Sequence, residues 1–231
     1  MGKHRATSNE RFAGGVLLGA VASGALAVAA LNGAGSANAT CASISGISVG
    51  SGCTSTLTNV AVGLGPNTQA AAAGGVFNAA VATGNNTVAV AAGNFNLAYA
   101  GGQDSAAVAG GYFNVALTQG TTSAAIASGV ANAAINLGDN SVVAASGVGN
   151  LATNVGSGDT VNGPNVVTAT GLGNLAKNVG GAGNVVTASD SFNKGFNFGG
   201  LQNQVTAVNT LDLNNPLKRS NLGFNSAFNV G

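Results

Sequence analysis

From Gly75 onward, apolar and polar positions recur in blocks of nine residues: GVFNAAVAT, GNNTVAVAA, GNFNLAYAG, GQDSAAVAG, GYFNVALTQ, GTTSAAIAS, GVANAAINL, GDNSVVAAS and GVGNLATNV. Glycine opens each block, at Gly75, Gly84, Gly93, Gly102, Gly111, Gly120, Gly129, Gly138 and Gly147, and Gly156 extends the series. Positions five to eight read as a short strand. Position seven carries bulky β-formers (Val81, Val90, Tyr99, Val108, Leu117, Ile126, Ile135), position five Ala, Val or Leu, and positions six and eight almost only Ala. Alternation along a strand puts five and seven on one face and six and eight on the other. Five and seven are expected to point inward, leaving a flat, nearly uncharged Ala/Thr/Asn face outside.

A second period is nested in the first. Position four is Asn in alternate blocks (Asn78, Asn96, Asn114, Asn132, Asn150) and Thr87, Ser105, Ser123 or Ser141 between them, while Phe77, Phe95 and Phe113 recur at position three on the same beat. The repeating unit is therefore 18 residues built from two unlike halves. Periods of this length mark solenoids, in which each coil buries its face on the next. Gly at position one supplies a positive-φ turn without steric penalty, and Asn, Ser or Thr at position four suits a turn by bonding back to nearby backbone. The fold class is all-β: a parallel β-solenoid or β-roll of nine-residue half-coils, preceded by a signal-peptide helix. About seven coils at ~4.8 Å each would span roughly 34 Å. The register breaks at residues 156–170, where Asn162-Gly163-Pro164 marks an inserted loop, and resumes at Gly171.

Composition sharpens this. The chain holds 38 Gly, no Trp and only 6% charged residues, against a typical ~25%. Ala and Val supply most of the apolar fraction, so a thick globular core is not expected. A largely disordered secreted chain is the rival reading; the regular Val and Thr spacing favours an ordered repeat. The net charge of +1 offers no basic patch for nucleic acid.

The N-terminus carries Lys3, His4, Arg5 and Arg11, then the uncharged stretch Val16 to Leu31, then Ala37-Asn38-Ala39. A basic start, an apolar middle and an A-x-A exit are the parts of a secretory signal peptide, cleaved after Ala39. Its apolar stretch is 16 residues, short of the ~20 a membrane span needs, so no transmembrane anchor is expected in the mature chain. Cys41 lacks the Leu-containing box that precedes lipid-modified cysteines. Cys41 and Cys53 are the only cysteines, and in an oxidising compartment they are expected to form a disulfide at the first coil. The expected organisation is a signal peptide at 1–39, an N-terminal cap at 40–56, the solenoid at 57–190 and a C-terminal cap or tail at 191–231.

Three resemblances follow from these motifs. The alternating nonapeptide is similar to the calcium-binding β-roll of RTX proteins, whose Gly-Gly-x-Gly-x-Asp unit has Asp at position six. Here that position is Ala80, Ala89, Ala98, Ala107, Ala116 and Ala125, so the roll is implied without its calcium ligands. The pieces GVFNAA, GNFNLA and GYFNVA resemble the Gly/Asn tandem repeats of mycobacterial PPE proteins, without the helical PPE head. Strings such as NNTVAVAAG resemble the head repeats of trimeric autotransporter adhesins, which have a longer period. The PPE likeness implies an exported protein of an actinobacterial envelope.

Chemistry is sparse. After residue 39 there is no His, Glu or Trp, and the acids are Asp104, Asp139, Asp159, Asp190 and Asp212. Asp104 and Asp139 fall at turn positions, where a solvated Asp is the ordinary occupant. A Ser or Cys nucleophile would lack a His base, and the glycines are not followed by the Lys-Ser/Thr of a phosphate loop. No catalytic residue, cofactor or metal site is expected. The expected protein is a non-catalytic structural or adhesive repeat protein, secreted or held at the cell surface or envelope, with self-association or envelope components as partners. The alternative is a solenoid that binds a lattice such as a polysaccharide or ice; regular Thr ladders would support ice binding, but in the repeats Thr-x-Thr is confined to Thr168/Thr170, with Thr187/Ser189 as a partial echo.

Overall fold

The computed structural model describes residues 41–208 and 225–231. The expected signal peptide, its helix and the cleavage residues Ala37 and Ala39 lie outside the described residues. Two parallel sheets face each other in a β-solenoid of about nine turns, each of about 18 residues. This overturns the disordered reading and extends the expected seven coils.

Sheet A contains β1 (Cys41–Ile44), β2 (Ile47–Val49), β4 (Val60–Leu64), β6 (Ala79–Asn85), β8 (Leu97–Gln103), β10 (Val115–Thr121), β12 (Ala133–Asn136), β14 (Leu151–Val155), β16 (Leu175–Val179), β18 (Lys194–Phe198) and β20 (Ser226–Val230). Sheet B contains β3 (Cys53–Ser55), β5 (Gln69–Ala73), β7 (Val88–Asn94), β9 (Ala106–Tyr112), β11 (Ser123–Val130), β13 (Ser141–Val148), β15 (Asn165–Leu172), β17 (Val185–Ser191) and β19 (Gln204–Ala207). Within each sheet every strand from β3 on pairs in parallel with the strand one coil away. The nonapeptide is thus one half-coil, and successive blocks alternate between the sheets.

The turns explain the glycines. A Cβ on Gly93 would lie 2.1 Å from the carbonyl oxygen of Gly111 in the next coil, and Gly93 has φ +105°. Only glycine satisfies both constraints. Gly138 departs from the expected positive φ; it is held to glycine by contact alone, its Cβ site lying 2.1 Å from Gly156 O.

Position four corrects the sequence reading. Asn78, Asn96, Asn114, Asn132 and Asn150 are buried and form a ladder along the solenoid axis. The Asn114 Nδ2 donates to Gly110 O of its own turn at 2.7 Å, to Gly129 O of the next coil at 2.9 Å and to Asn96 Oδ1 at 3.1 Å. Its Oδ1 accepts from the backbone N of Asn132 at 3.0 Å. The bond within the turn was expected; the bonds between coils were not.

With position four inside, period two carries six and eight inside as well. Ala80, Ala82, Ala89, Ala91, Ala98 and Ala100 are fully buried. Positions five and seven point outward: Tyr99, Leu117 and Ile135 are only half-buried and Leu97 is 42% exposed. The expectation that the bulky residues fill the interior is therefore inverted. The sheets approach too closely for larger side chains. A Cβ placed on Gly195 of sheet A would stand 3.2 Å from Thr187 O of sheet B, and the Asn136 side chain reaches across to Ala124 O at 3.3 Å. An interior this narrow takes Ala, Val or a hydrogen-bonded Asn.

The Cys41–Cys53 disulfide joins β1 of sheet A to β3 of sheet B, with Cα atoms 5.5 Å apart. It plugs the N-terminal end of the interior: a Cβ on Gly63 would meet Cys41 Sγ at 2.6 Å. Beyond it β1 runs antiparallel to β4, and β2 antiparallel to β1, so the parallel ladder stops there. At the other end, β18, β19 and β20 continue both sheets. The described part of 191–231 is thus additional solenoid rather than a separate cap. The inserted loop is confirmed by its span: Asn150 and Asn174 occupy successive ladder positions 24 residues apart, against 18 for Asn132 and Asn150.

Candidate functional site

Each coil turns twice, and the two turn columns differ. The turn leading into sheet B is polar. There Asn86 donates to Asp104 through a short hydrogen bond, Asp139 Oδ1 accepts from Thr121 N at 2.6 Å, and Ser157 Oγ lies 3.4 Å from Asp139 Oδ2. Among the described residues no group of three His, Cys, Asp or Glu is placed to hold a metal ion. In the inserted loop, Asp159 accepts bonds from the backbone and side chain of Asn162 and from Val161 N. These bonds, those from Asn162 foremost, hold its carboxyl below the ordinary value of 3.8.

The turn leading into sheet A is apolar. Phe77, Phe95 and Phe113 stack in a column, with ring centroids 5.3 and 4.9 Å apart, and stay 61, 45 and 58% exposed. All three have φ near +57°, a conformation costing roughly 1–2 kcal/mol for an L side chain. Each stacked pair returns about 0.5–1.5 kcal/mol, so two pairs offset only part of the cost of three strained residues. Phe95 is stacked on both sides, so the column offers aromatic faces only at its end rings, Phe77 and Phe113. In the same column downstream stand Ala131, Gly149, Gly173 and Phe192, whose ring would lie 2.8 Å from a Cβ on Gly173.

The outer faces of the sheets also differ. On sheet A, position seven runs Val62, Val81, Tyr99, Leu117, Ile135 and Thr153 in register. It is flanked at positions five and nine by Leu97, Leu151, Leu137 and Val155, exposed by 37–45%. Charge appears only near its C-terminal end, at Lys177 and Lys194. The Lys177 Nζ stands 6.0 Å from the Phe198 ring centroid, and Phe196 and Phe198 both adjoin Phe228. On sheet B, the same position changes from Val90, Val108 and Ile126 to Thr168, Thr187 and Thr206, stacked in register beside Thr170 and Ser189. The pair noticed in the sequence is thus part of a short hydroxyl ladder. The apolar face of sheet A was missed because its residues had been assigned to the interior.

Together these features define a class: a two-sheet parallel β-solenoid with an alanine–asparagine interior, a disulfide plug and an apolar outer face. Comparison with protein-family models, with curated proteins and with solved structures finds no match to any of them.

Proposed function

We propose that the protein is a non-catalytic structural or adhesive element, exported to the cell envelope or the extracellular space, that acts through the outer surfaces of its solenoid. The observation that carries this reading is the continuous apolar surface formed by the outer face of sheet A and the Phe77–Phe95–Phe113 ridge. Soluble monomers seldom expose apolar patches beyond a few hundred Å², and larger ones mark contact sites. The signal-like sequence at 1–39, a disulfide that an oxidising compartment would maintain, and the likeness of the repeats to those of PPE proteins support the location. The absence of His and Glu from the sequence after residue 39 supports the non-catalytic role. Fractionation of the source cells tests it: the protein is expected in the envelope or medium, beginning at Thr40, and finding the uncleaved chain in the cytosol overturns the reading.

The hydroxyl ladder Thr168–Thr187–Thr206 favours a second reading, in which sheet B binds a repeating lattice such as ice or a polysaccharide. Thermal hysteresis and binding to insoluble glycans test it, and Thr187→Leu should abolish either activity. No activity in both assays removes it.

A further inference from the structure

We propose that the protein is a dimer in which the outer faces of sheet A from two copies pack together, with their solenoid axes antiparallel. The inference does not depend on where the protein resides. Its occupant is a second copy of this chain, for reasons of area, charge and shape.

The area is sufficient. Nine parallel strands, β4 to β20, at ~4.8 Å spacing and about five outward-and-inward residues each make a face of about 40 by 17 Å, roughly 700 Å². A stable interface covers about 800 Å² per partner, and the Phe ridge along the edge supplies the remainder. Sheets packed face to face with aligned strands are an ordinary way to bury such surfaces.

Charge selects the orientation. A two-fold axis parallel to the strands passes through β12, the middle of the nine, and reverses the solenoid axis. It sets Lys177 of β16 over Tyr99 of β8 in the other copy. The two Lys177 groups then lie about four coils, ~19 Å, apart along the axis, beyond the ~8 Å screening length at physiological salt. A two-fold axis along the solenoid through the position-seven column would instead set Lys177 on Lys177 within an apolar interface, where unpaired like charges are costly.

Shape agrees with charge. The same axis leaves the apolar edge of one copy beside that of the other and reverses its order. Phe113 comes opposite Gly149, where an added Cβ would meet nothing within 4 Å. Phe95 comes opposite Gly173 beneath the Phe192 ring and Phe77 opposite Phe192, so that aromatic meets aromatic toward the end of the edge. Ile135 falls beside its own symmetry mate, where a self-contact is apolar.

The test is the mass of the purified protein by sedimentation equilibrium, read together with disulfide trapping. The wild type is expected at twice the mass of one chain. Ile135→Glu, which sets like charges together at the axis, should weaken association by about a hundredfold or more while leaving the β signature in circular dichroism. Ile126→Glu, at the equivalent outward position of sheet B, should remain dimeric. The Tyr99→Cys/Lys177→Cys double variant should cross-link between chains on oxidation, and Lys177→Cys alone should not; this readout stands even if Ile135→Glu fails to fold. A monomeric wild type, dissociation by Ile126→Glu alone, or cross-linking by Lys177→Cys alone overturns the proposal. A monomer that floats with neutral phospholipid vesicles would assign the face to lipid instead.

Discussion

The first four or five coils and the last four fill the same cross-section differently. On sheet B, the inward position six is Ala70, Ala89, Ala107 and Ala125 in the early coils and Val143, Val167, Val186 and Val205 in the later ones. On sheet A, the inward position eight is Ala82 and Ala100, then Thr118, then Asn136, Asn154, Asn178 and Asn197. Position four of sheet B changes from Ser123 and Ser141 to Asn165 and Asn184 over the same stretch. The early coils therefore depend on one asparagine ladder and an alanine interior, whereas the later coils add valine, a second ladder at position eight of sheet A and a short third one at position four of sheet B. Compensation is visible where the fit is tightest: Gly195 stands opposite Val186, whose Cγ1 would lie 3.2 Å from an added Cβ. Polar matching is poorer in the early coils, which contain Thr87 and Thr118, the two buried hydroxyls without a partner among the described residues.

The largest effect should come from breaking the ladder that both regions share. Asn114→Leu removes the acceptor of Asn132 N and Nδ2 and the donor to Gly110 O and Gly129 O. Several buried groups left unpaired, at about 1–3 kcal/mol each, should cost 4 kcal/mol or more and disorder the coils around β10. Asn178→Leu in the second ladder should cost about half as much. Its Nδ2 bonds Asn154 Oδ1 at 2.8 Å and Gly180 O at 3.3 Å, its Oδ1 accepts from Asn197 Nδ2, and no backbone N–H depends on it. Denaturant unfolding of both variants measures the difference; equal losses would mean that the two ladders carry the same weight.

Next in size is the valine column. Val167 is fully buried, and Val167→Ala should cost about 1–3 kcal/mol by leaving a cavity between sheets that cannot close on it. Ala107→Val makes the converse change in the early coils and should also destabilise, by about 1–3 kcal/mol, through overpacking. If Ala107→Val proved neutral, the early interior would have spare room and the contrast between the regions would be one of sequence alone.

These contrasts show what the sequence discloses. The nine-residue glycines and the strand at positions five to eight were legible because turn chemistry and β-propensity are local. The Cys41–Cys53 pair was legible because no other cysteine competes. The inward face was not, because the usual assignment buries the largest apolar residues, and the separation between two sheets is not a local property. A usable signal was present nonetheless. Across the four blocks from Gly75 to Gly110, six and eight are Ala without exception, whereas seven changes from Val81 to Tyr99. Unchanging positions are those packed against fixed neighbours. Asn at four also shares parity with six and eight, so treating it only as a turn residue concealed that all three face inward. The apolar outer face went unseen for the same reason.

A smaller, stabilising change would sharpen the boundary between the regions. Thr118 lies directly beneath Asn136 with its hydroxyl unbonded. Thr118→Asn would extend the second ladder by one coil, its Oδ1 accepting from Asn136 Nδ2 as Asn136 Oδ1 does from Asn154 Nδ2 at 3.0 Å. The facing residue in that coil is Ala125 rather than Val, which leaves volume for the amide. A net gain of about 1 kcal/mol is expected, read as a rise of a few degrees in Tm. A fall in Tm would place the limit of the second ladder at the width of the interior rather than at the choice of residue.

The smallest effect belongs to the loop that interrupts the later coils. Asp159 is bonded as a carboxylate, so its folded pKa lies below the unfolded value near 3.8. The direction follows from linkage: the contribution is complete above the unfolded pKa and is lost as pH falls through the lowered folded value. Between neutral pH and pH 5, amide exchange at Val161 and Asn162 should therefore be unaffected by the state of Asp159, once the intrinsic pH dependence of exchange is removed. Below the folded pKa, protection at these two amides should fade while that of Asn132 and Asn150 in the ladder persists. Asp159→Asn should show the weakened protection at every pH. If the ladder amides lost protection together with the loop, the insertion would be part of the cooperative unit of the later coils rather than an appendage to it.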